Sequence, residues 1–353
     1  MRILINALSG IGDALMFTPA LTKLKEELPE AKIDALVMFK GVKDIYERFG
    51  EIDKVIYHDF LNASKISSLK LVLSLRKKYD ISINVYPSNR KEYNLINFLI
   101  GSKKRAAVKY LRKDFENFGF LNNLTIREND SLHNAEENIN LISKILNKNI
   151  NDFPPYKINL NDDEINFAKK FLSNSGIAEN DIVIGFHPGC SPLKNHTKRR
   201  WEPEKFAALG KMLIKKYNAF ILIFGGNEED ELKQRIINLI ESKKSINVQT
   251  NTLLQTAALM KRSNVFVSND SSLMHIAAAL KLKTVAIIGP TNTNYIHPWQ
   301  TEYKIVSLNL ECSPCFYYSP KPLTCHRDDI KFKCIKELSV ELVLSTVESF
   351  IEG

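Results

Sequence analysis

Apolar runs of strand length alternate with helical patterns along the chain, starting at the amino terminus. Residues Arg2–Asn6 form a short β-rich run, and a glycine turn separates this run from a helical pattern over Ala14–Leu28. Further apolar runs, each followed by a helical or loop stretch, predict four more strands. This alternation predicts a parallel sheet covered on both faces by helices. The four runs are Ile33–Val37, Lys54–Tyr57, Asp80–Tyr86 and Arg105–Val108.

The same pattern restarts after a linker. A helical stretch over His133–Leu146 precedes the Asn-rich and Pro-rich segment Asn147–Tyr156, a composition typical of domain boundaries. We therefore predict two Rossmann-like α/β domains, residues 1–155 and 156–353, with parallel sheets that face each other across a cleft. The second domain contains four runs typical of strands buried on both faces, and a closing helix at 339–351. The four runs are Asp181–His187, Ala219–Phe224, Asn264–Ser268 and Thr284–Ile288.

Composition supports a globular protein with an anionic partner. The 353 residues suit two domains, and no apolar run approaches the roughly 20 residues of a membrane helix. The apolar start carries Gly10, Gly12 and Asp13, which fit a strand and its turn better than a signal peptide, so we expect a cytoplasmic protein. A net charge of +9 indicates a membrane surface, a phosphorylated substrate or nucleic acid, or simply a solubilising surface. No nucleic-acid-binding motif is visible in the sequence.

The first candidate site is the loop Ser9–Asp13, between the first strand and the first helix. Glycine in such a loop allows a ligand to approach the backbone closely, and the start of a helix attracts anions. Asp13 has two interpretations. It either caps the helix or acts as a general base at the mouth of the cleft.

Three strand-end loops of the second domain carry polar side chains. The loop Phe186–Ser191 and the cations of Lys198–Arg200 suit a diphosphate, unless the cations merely solvate a loop. In Gly225–Glu229 a carboxylate can accept the hydroxyls of a ribose, or simply favour the start of the next helix. Asp270 or Ser271 can cap an apolar helix, and the same helix end can bind phosphate or a sugar hydroxyl.

Five motifs follow one another along nearly the whole chain. They are Gly10–Leu15 with Thr18–Leu21, His133–Asn138, His187–Gly189 with Arg199–Phe206, Ser268–His275, and Gly289–Thr291. Together they resemble glycosyltransferase family nine, the family of the ADP-heptose–lipopolysaccharide heptosyltransferases. The resemblance implies a GT-B fold, with the acceptor on the amino-terminal domain and an ADP-sugar on the carboxyl-terminal domain. It implies an inverting, metal-independent transfer of a heptose or related sugar to the lipopolysaccharide core or another glycan. The acceptor would be an anionic glycolipid or glycan, with a peripheral inner-membrane location as one option.

The same resemblance implies roles for individual residues. Asp13 matches the proposed base, which deprotonates the acceptor hydroxyl. Arg199 stands where many members carry a lysine that stabilises the leaving diphosphate; arginine keeps the charge but exchanges a point contact for a fork. Glu229 best matches the nucleoside-contacting glutamate, with Glu228 as the alternative. The donor and phosphate contacts implied are Gly12, Ser191, Lys198, Arg199, Glu229, Asp270 and Ser271.

Four of the five cysteines lie within residues 312–334, a Pro-rich segment. The spacing Cys312-x2-Cys315-x9-Cys325-x8-Cys334 favours a structural zinc or iron site over disulfides in a cytosolic protein. The alternative is a loop with incidental thiols, because only the first pair has the usual close spacing. Four thiolates would leave no open coordination position, so such a metal would be structural. The absence of a catalytic metal and of a cofactor for the transfer is what the family resemblance implies.

Two other functions compete with this prediction. One is a protein glycosyltransferase of the same family, with a different donor or acceptor. The other is a non-catalytic module that binds nucleotide-sugars. The presence of Asp13 beside Gly12 favours an enzyme, because a protein that only binds has no need of a base.

Overall fold

The structure is a computed structural model that describes residues 1–317 and 322–353, with the side chains of Leu193 and Lys194 excepted. By the contacts between its residues, the chain divides into two compact units. Unit 1 comprises residues 1–159, and unit 2 comprises residues 160–317 and 322–353.

Unit 1 contains a parallel sheet of six strands in the order β3-β2-β1-β4-β5-β6. Four of its helices fill connections between strands, a 3-10 helix at Gly119–Leu121 precedes the last strand, and the fifth helix follows that strand. The strands are β1 Arg2–Ala7, β2 Lys32–Val37, β3 Lys54–Tyr57, β4 Ile81–Asn84, β5 Lys104–Lys109 and β6 Leu124–Arg127. The helices are α1 Ile11–Glu27, α2 Lys40–Tyr46, α3 Lys65–Ser74, α4 Lys91–Ile100 and α5 Asn134–Leu146.

Helices α3 and α4 pack on the sheet of unit 1 through one shared apolar cluster. Val72 of α3 and Ile100 of α4 contact the strand residues Leu4 and Leu36, and all four are buried. Helix α5 packs instead against α1. The residues of α3 and α4 that face the sheet are therefore distinct from those on their outer surfaces.

Unit 2 repeats the arrangement, with the strand order β12-β11-β10-β7-β8-β9. Two 3-10 helices, Leu193–Arg199 and Asn227–Glu229, follow β7 and β8. The strands are β7 Val183–His187, β8 Phe220–Ile223, β9 Ser245–Asn247, β10 Val265–Asn269, β11 Thr284–Ile287 and β12 Tyr303–Val306. The helices are α6 Asp162–Asn174, α7 Pro203–Tyr217, α8 Asp230–Ile240, α9 Leu253–Met260, α10 Ser272–Ala279, α11 Thr293–Ile296, α12 Lys333–Lys336 and α13 Val340–Ile351.

Trp201 anchors the start of α7 to the carboxyl-terminal part of the chain. Its ring is fully buried and meets Phe206 edge-on, with 5.0 Å between the ring centroids. Its indole Nε1 donates to Leu338 O at 2.9 Å, just before α13. The loop that ends in Arg199 and Arg200 therefore leads into a residue held firmly in the core.

The predicted α/β fold, with a Rossmann-like parallel sheet in each half, is confirmed. Every predicted strand is present, whereas β6, β9 and β12 were missed. In each sheet the order in which strands are added switches from one edge to the other between two adjacent parallel strands, β1 and β4 in unit 1 and β7 and β10 in unit 2. Loops at the carboxyl ends of such strands form the ligand sites of open α/β sheets. Among the described helices, none has the length and apolar character needed to cross a bilayer.

Candidate active site

Asp13 lies in the first turn of α1, immediately after the carboxyl end of β1. Its Oδ2 accepts a hydrogen bond from Gly10 N at 2.9 Å, so the carboxylate does help to cap the helix. The side chain is half-buried. Burial first, and then the charge of Asp13, raise the pKa of the buried phenols Tyr46 and Tyr156. Asp13 is thus a fixed carboxylate beside apolar and phenolic groups.

The loops after β1 and β4 are joined directly. Ser9 Oγ donates to Pro87 O at 2.7 Å. Asn138 of α5 holds the adjoining residue from both sides: its Oδ1 accepts from Tyr86 N at 3.0 Å, and its Nδ2 donates to Tyr86 O at 2.9 Å. The segment His133–Asn138, which carries part of the family resemblance, therefore positions the loop beside that of Asp13.

Two buried carboxylates lie near this region and were not singled out in the sequence. Glu128 Oε1 accepts from Tyr86 Oη at 2.7 Å, and burial raises the pKa of Glu128 against the effect of that bond. Burial likewise raises the pKa of Glu137 to about 7, although Asn129 N donates to it. A carboxyl group with a pKa near neutrality carries a proton for part of the time at physiological pH.

A chain of buried asparagines supports the sheet behind these loops. Asn6 of β1 donates to the side-chain oxygens of Asn84 and Asn97, at 3.1 and 3.0 Å. Asn97 in turn donates to Asn122 at 2.8 Å. The chain joins β1, β4 and α4 to the segment before β6, so α4 has a fixed position relative to the strands. The asparagines also include Asn89, Asn94 and Asn117.

In unit 2, Arg199 and Asp270 form one buried polar cluster. Arg199 Nη1 pairs with Asp270 Oδ2, and Thr291 Oγ1 donates to the same oxygen at 2.6 Å. The guanidinium lies 5.3 Å from the ring centroid of Phe316, and its Nη2 is 3.2 Å from His196 Nδ1. Arg199 is therefore held in place by groups that follow β7, β10 and β11.

Glu229 is the centre of a second buried cluster. Its Oε1 accepts from Arg200 Nη2 at 3.0 Å, and its Oε2 is 3.2 Å from His187 Nε2. His187 Nδ1 is 2.7 Å from Ser271 Oγ, which connects the clusters after β7 and β10. Burial works to raise the pKa of Glu229, but His187 and Arg200 outweigh it and lower the pKa. A Cβ on Gly189 would lie 1.8 Å from Glu229 Oε1, so any larger residue there would displace the Glu229 carboxylate from this position.

The other predicted residues are accessible. Ser191, Lys198 and Glu228 are exposed, and Gly12 in unit 1 is half-buried. The structure therefore brings together Arg199, Asp270, Glu229 and Ser271 as two linked clusters, and leaves the exposed residues around them.

Sequence reasoning assigned no role to several residues of these clusters. His187 was only part of a recognised motif, with its strand-end position as the available signal. Arg200 was included among the cations that suit a diphosphate, but not as the partner of Glu229. Thr291 was likewise only part of a motif, and His196 and Phe316 were not noticed. Their contacts depend on the loops of distant strands meeting at one edge of the sheet.

The four clustered cysteines are free thiols. Burial first, and then the like charges of the other three thiols, raise the pKa of Cys334 to about 11. Burial first, and then the charges of Cys312 and Cys325, also raise the pKa of Cys315. In the described part of the chain, however, no three His, Cys, Asp or Glu side chains are arranged to hold a metal ion. A structural zinc or iron stays a prediction.

A parallel sheet in each unit, with charged and hydroxyl groups at the strand ends, is typical of α/β proteins that bind nucleotides. The family model of glycosyltransferase family 9 (heptosyltransferase) matches residues 68–324, more than half of the chain. The chain therefore belongs to this family and is a glycosyltransferase, as its sequence motifs predicted.

Similar proteins cover almost the full length. Lipooligosaccharide heptosyltransferase 2 of Campylobacter jejuni is 27% identical over 100% of this chain and 99% of its own. The structure of Escherichia coli ADP-heptose lps heptosyltransferase II has a TM-score of 0.75 at 20% identity, over 100% of this chain and 99% of that one. The E. coli heptosyltransferase WaaC with ADP-2-deoxy-2-fluoro heptose has a TM-score of 0.68 at 19% identity, over 100% and 99%. These likenesses confirm the predicted GT-B fold class.

Proposed function

We propose that this enzyme transfers a heptose from ADP-heptose to the core of a lipopolysaccharide or lipooligosaccharide, with inversion at the anomeric carbon and without a metal ion. The observation that carries the proposal is the pair of linked clusters around Arg199 and Glu229 at the strand ends of unit 2. The heptosyltransferases to which the chain is similar supply the donor and acceptor classes.

The donor diphosphate would lie against the cations of unit 2. The Nε groups of Arg199 and Arg200 are buried and have no hydrogen-bond partner among the described residues, so neither guanidinium has all its donors satisfied. Asp270 and Glu229 hold these two arginines in place. Lys198 and Ser191 are exposed nearby in sequence and can complete the contacts. Fixed cations of this kind stabilise the charge that develops on a leaving diphosphate, which is the role of a metal ion in other transferases.

The nucleoside contact belongs to Glu228 rather than Glu229 in this proposal. Both oxygens of Glu229 are already engaged by Arg200 and His187, and its side chain is 7% exposed. Glu228, one residue earlier in the same 3-10 helix, is exposed and can accept the two hydroxyls of a ribose.

Asp13 would act as the general base. The acceptor hydroxyl oxygen attacks the anomeric carbon as its proton passes to the Asp13 carboxylate. The bond from that carbon to the phosphate oxygen breaks, and ADP leaves with the electron pair. A single displacement of this kind inverts the anomeric configuration. We place the glycolipid acceptor at the cytoplasmic face of the inner membrane.

The test is a transfer assay with ADP-heptose and a heptose-deficient core acceptor, in the presence of a chelator. We expect stoichiometric release of ADP and a product whose new linkage, determined by NMR, has the anomeric configuration opposite to that of the donor. Retained configuration, or activity abolished by the chelator, would contradict the mechanism. Binding of ADP-heptose without turnover on any glycan or peptide acceptor would identify a non-catalytic module, whereas transfer to peptides alone would identify a protein glycosyltransferase.

A further inference from the structure

The positive charge of the chain is concentrated in one segment of unit 1. Residues 65–113 contain thirteen Lys and Arg but only two Asp and Glu, a net charge of +11, whereas the whole chain carries +9. The remainder of the chain therefore has a net charge of −2. The segment comprises α3, β4, α4 and β5 and ends with Arg112 and Lys113, which pair with Asp130 and Glu116 outside it. Most of its other cations flank α3 and α4 along the chain.

The outer surfaces of the same two helices carry exposed apolar side chains. Ile66, Leu69 and Leu73 of α3 are 69%, 48% and 43% exposed, and their spacing puts them on one side of the helix. Leu95 and Phe98 of α4 are exposed in the same way. The inner faces of both helices already pack on the sheet, so these residues are not needed for the core of unit 1.

An aromatic loop extends this surface. Helix α4 packs against both α3 and the 3-10 helix at Gly119–Leu121. Phe115 and Phe120 are 78% and 58% exposed, and their ring centroids are 5.2 Å apart. Arg105 connects this loop to α4, because its guanidinium lies over Phe98 and its Nε donates to Leu121 O at 2.9 Å. The exposed apolar residues thus form one surface, which we call the α3–α4 face.

Cations lie at both ends of the α3–α4 face. Lys65 and Lys91 are the first residues of the two helices. At the opposite ends, Lys77 N donates to Ile100 O at 2.8 Å, which brings the end of α3 to the end of α4. Exposed cations follow both of these helix ends along the chain. They are Arg76, Lys77 and Lys78 after α3, and Lys103 and Lys104 after α4.

We propose that the α3–α4 face docks on an anionic phospholipid bilayer. Aliphatic and aromatic side chains between two groups of cations suit the interface of a bilayer, where apolar groups enter the acyl boundary and cations meet the head groups. Nucleic acid would be attracted by the cations, but it gives exposed Ile66, Leu69 and Leu73 no apolar partner. A second copy of the chain would bring two strongly positive faces together. This inference deepens the proposed function, since it names the surface by which the enzyme reaches a membrane-embedded acceptor.

The test is co-sedimentation of the full chain with vesicles, without sugar donor or glycan acceptor. One set of vesicles contains phosphatidylcholine alone, and the other contains phosphatidylcholine and phosphatidylglycerol. We expect binding to the anionic set only. Replacing both Lys103 and Lys104 by Gln should weaken it about fivefold per lysine, in proportion to the charge lost. Leu73→Ser with Phe98→Ser should weaken it about tenfold or more, because apolar burial contributes independently of charge.

Matched controls come from unit 2. Leu342 is 42% exposed on α13, close to the 43% of Leu73, and Lys215 and Lys261 are exposed lysines. Leu342→Ser and the Lys215→Gln, Lys261→Gln pair should bind anionic vesicles as the wild type does.

Three results would overturn the proposal. The first is an equal loss of binding in the controls, and the second is binding to neutral vesicles. The third is binding that is lost with the lysines but unchanged in Leu73→Ser with Phe98→Ser, which would point to a purely electrostatic partner such as nucleic acid. A dimer in solution that Leu73→Ser with Phe98→Ser dissociates would assign the face to a second copy. Calorimetry with ADP alone tests the donor site without a membrane. A failure of the proposed donor site is therefore distinguishable from a failure of the α3–α4 face to bind vesicles.

Discussion

Substitution of Glu229 by Gln tests the buried cluster of unit 2 while preserving the shape of the side chain. Glu229 is 7% exposed; it accepts from Arg200 Nη2 at 3.0 Å, and its other oxygen faces His187 Nε2 at 3.2 Å and Gly226 N at 3.3 Å. An amide keeps one acceptor oxygen and turns the other into a donor. The variant therefore loses the negative charge and leaves either Arg200 or the His187 side without its acceptor.

The magnitude follows from these contacts. Hydrogen bonds to charged groups contribute about 1.5–3 kcal/mol and neutral ones about 0.5–1.5, so two weakened contacts cost about 2 kcal/mol. This is below the cost of about 3–5 kcal/mol for breaking a fully buried ion pair. The difference is expected, because the Arg200 side chain is 22% exposed and keeps Cys190 O as a second acceptor at 2.7 Å. For a unit of this size, 2 kcal/mol lowers the melting temperature by about 4–8 °C.

The adjacent residue is a matched control. Glu228→Gln changes the same charge in the same 3-10 helix, but Glu228 is exposed. Differential scanning fluorimetry should show the melting temperature of Glu228→Gln within about 1 °C of the wild type, because surface substitutions usually change stability little. Calorimetry with ADP should show the reverse order of effects, with weaker ADP binding in Glu228→Gln through loss of the ribose contact. Equal melting temperatures for the two variants would refute the assignment of Glu229 as the buried hub.

The pH dependence gives an independent check. The pKa of Glu229 is lowered on folding, since His187 and Arg200 outweigh the opposing effect of burial. A lowered carboxyl pKa contributes stability above the unfolded pKa of about 4.3, and that stability is lost as the pH falls through the folded pKa. The gap in stability between wild type and Glu229→Gln should therefore be constant near neutrality and shrink in acid below that pH. A gap that widened in acid would contradict the sign of the shift.

Three further predictions address the rest of the site. Asp13→Asn keeps an oxygen for Gly10 N but removes the base, so turnover should fall about 100-fold or more with an unchanged melting temperature; near-native turnover at saturating substrates would remove Asp13 from the mechanism. Neutralising both Lys198 and Arg199 should weaken ADP binding, by less as salt increases, and unchanged affinity by calorimetry at low salt would argue against them. Metal analysis of untagged protein should find about one zinc or iron per chain that Cys315→Ser loses, whereas four freely titrating thiols and neither metal would end that prediction.

The central strands could be predicted because they are buried on both faces. Such strands are continuous apolar runs, and Val183–His187 and Thr284–Ile287 were recognisable from this feature alone. The edge strands carry a weaker signal. Ser245–Asn247 has three residues and Tyr303–Val306 is largely exposed, so neither is distinguishable from a loop without the neighbouring strand that it pairs with.

The positions of the candidate site could be predicted better than the partners within it. Strand-end loops and family motifs indicated Arg199, Glu229, Asp270 and Ser271, and the structure places them in two linked clusters. Glu229 is buried and Glu228 is exposed because the two residues point in different directions from a 3-10 helix, and because Gly189 leaves space for the Glu229 carboxylate. Neither feature can be recognised in the sequence. The chain of seven asparagines could not be predicted either, because Asn6 and Asn122 are joined through Asn97 only when the sheet brings distant residues together.

The distribution of charge along the chain distinguishes two roles of the cations, holding the donor and attracting a charged surface, which the net charge alone does not. An excess of +9 suggests an anionic ligand, yet the buried cations of the proposed donor site are matched by carboxylates, Arg199 by Asp270 and Arg200 by Glu229. These paired arginines add nothing to the excess, and their use lies in fixed position rather than in long-range attraction. The excess belongs to residues 65–113 of unit 1, where Arg112 and Lys113 pair with Asp130 and Glu116 but exposed cations at both ends of the α3–α4 face do not belong to the donor site. The electrostatic field of these exposed cations extends over about a Debye length and suits a charged surface. The excess positive charge therefore supports the proposed docking of the α3–α4 face rather than the binding of the donor.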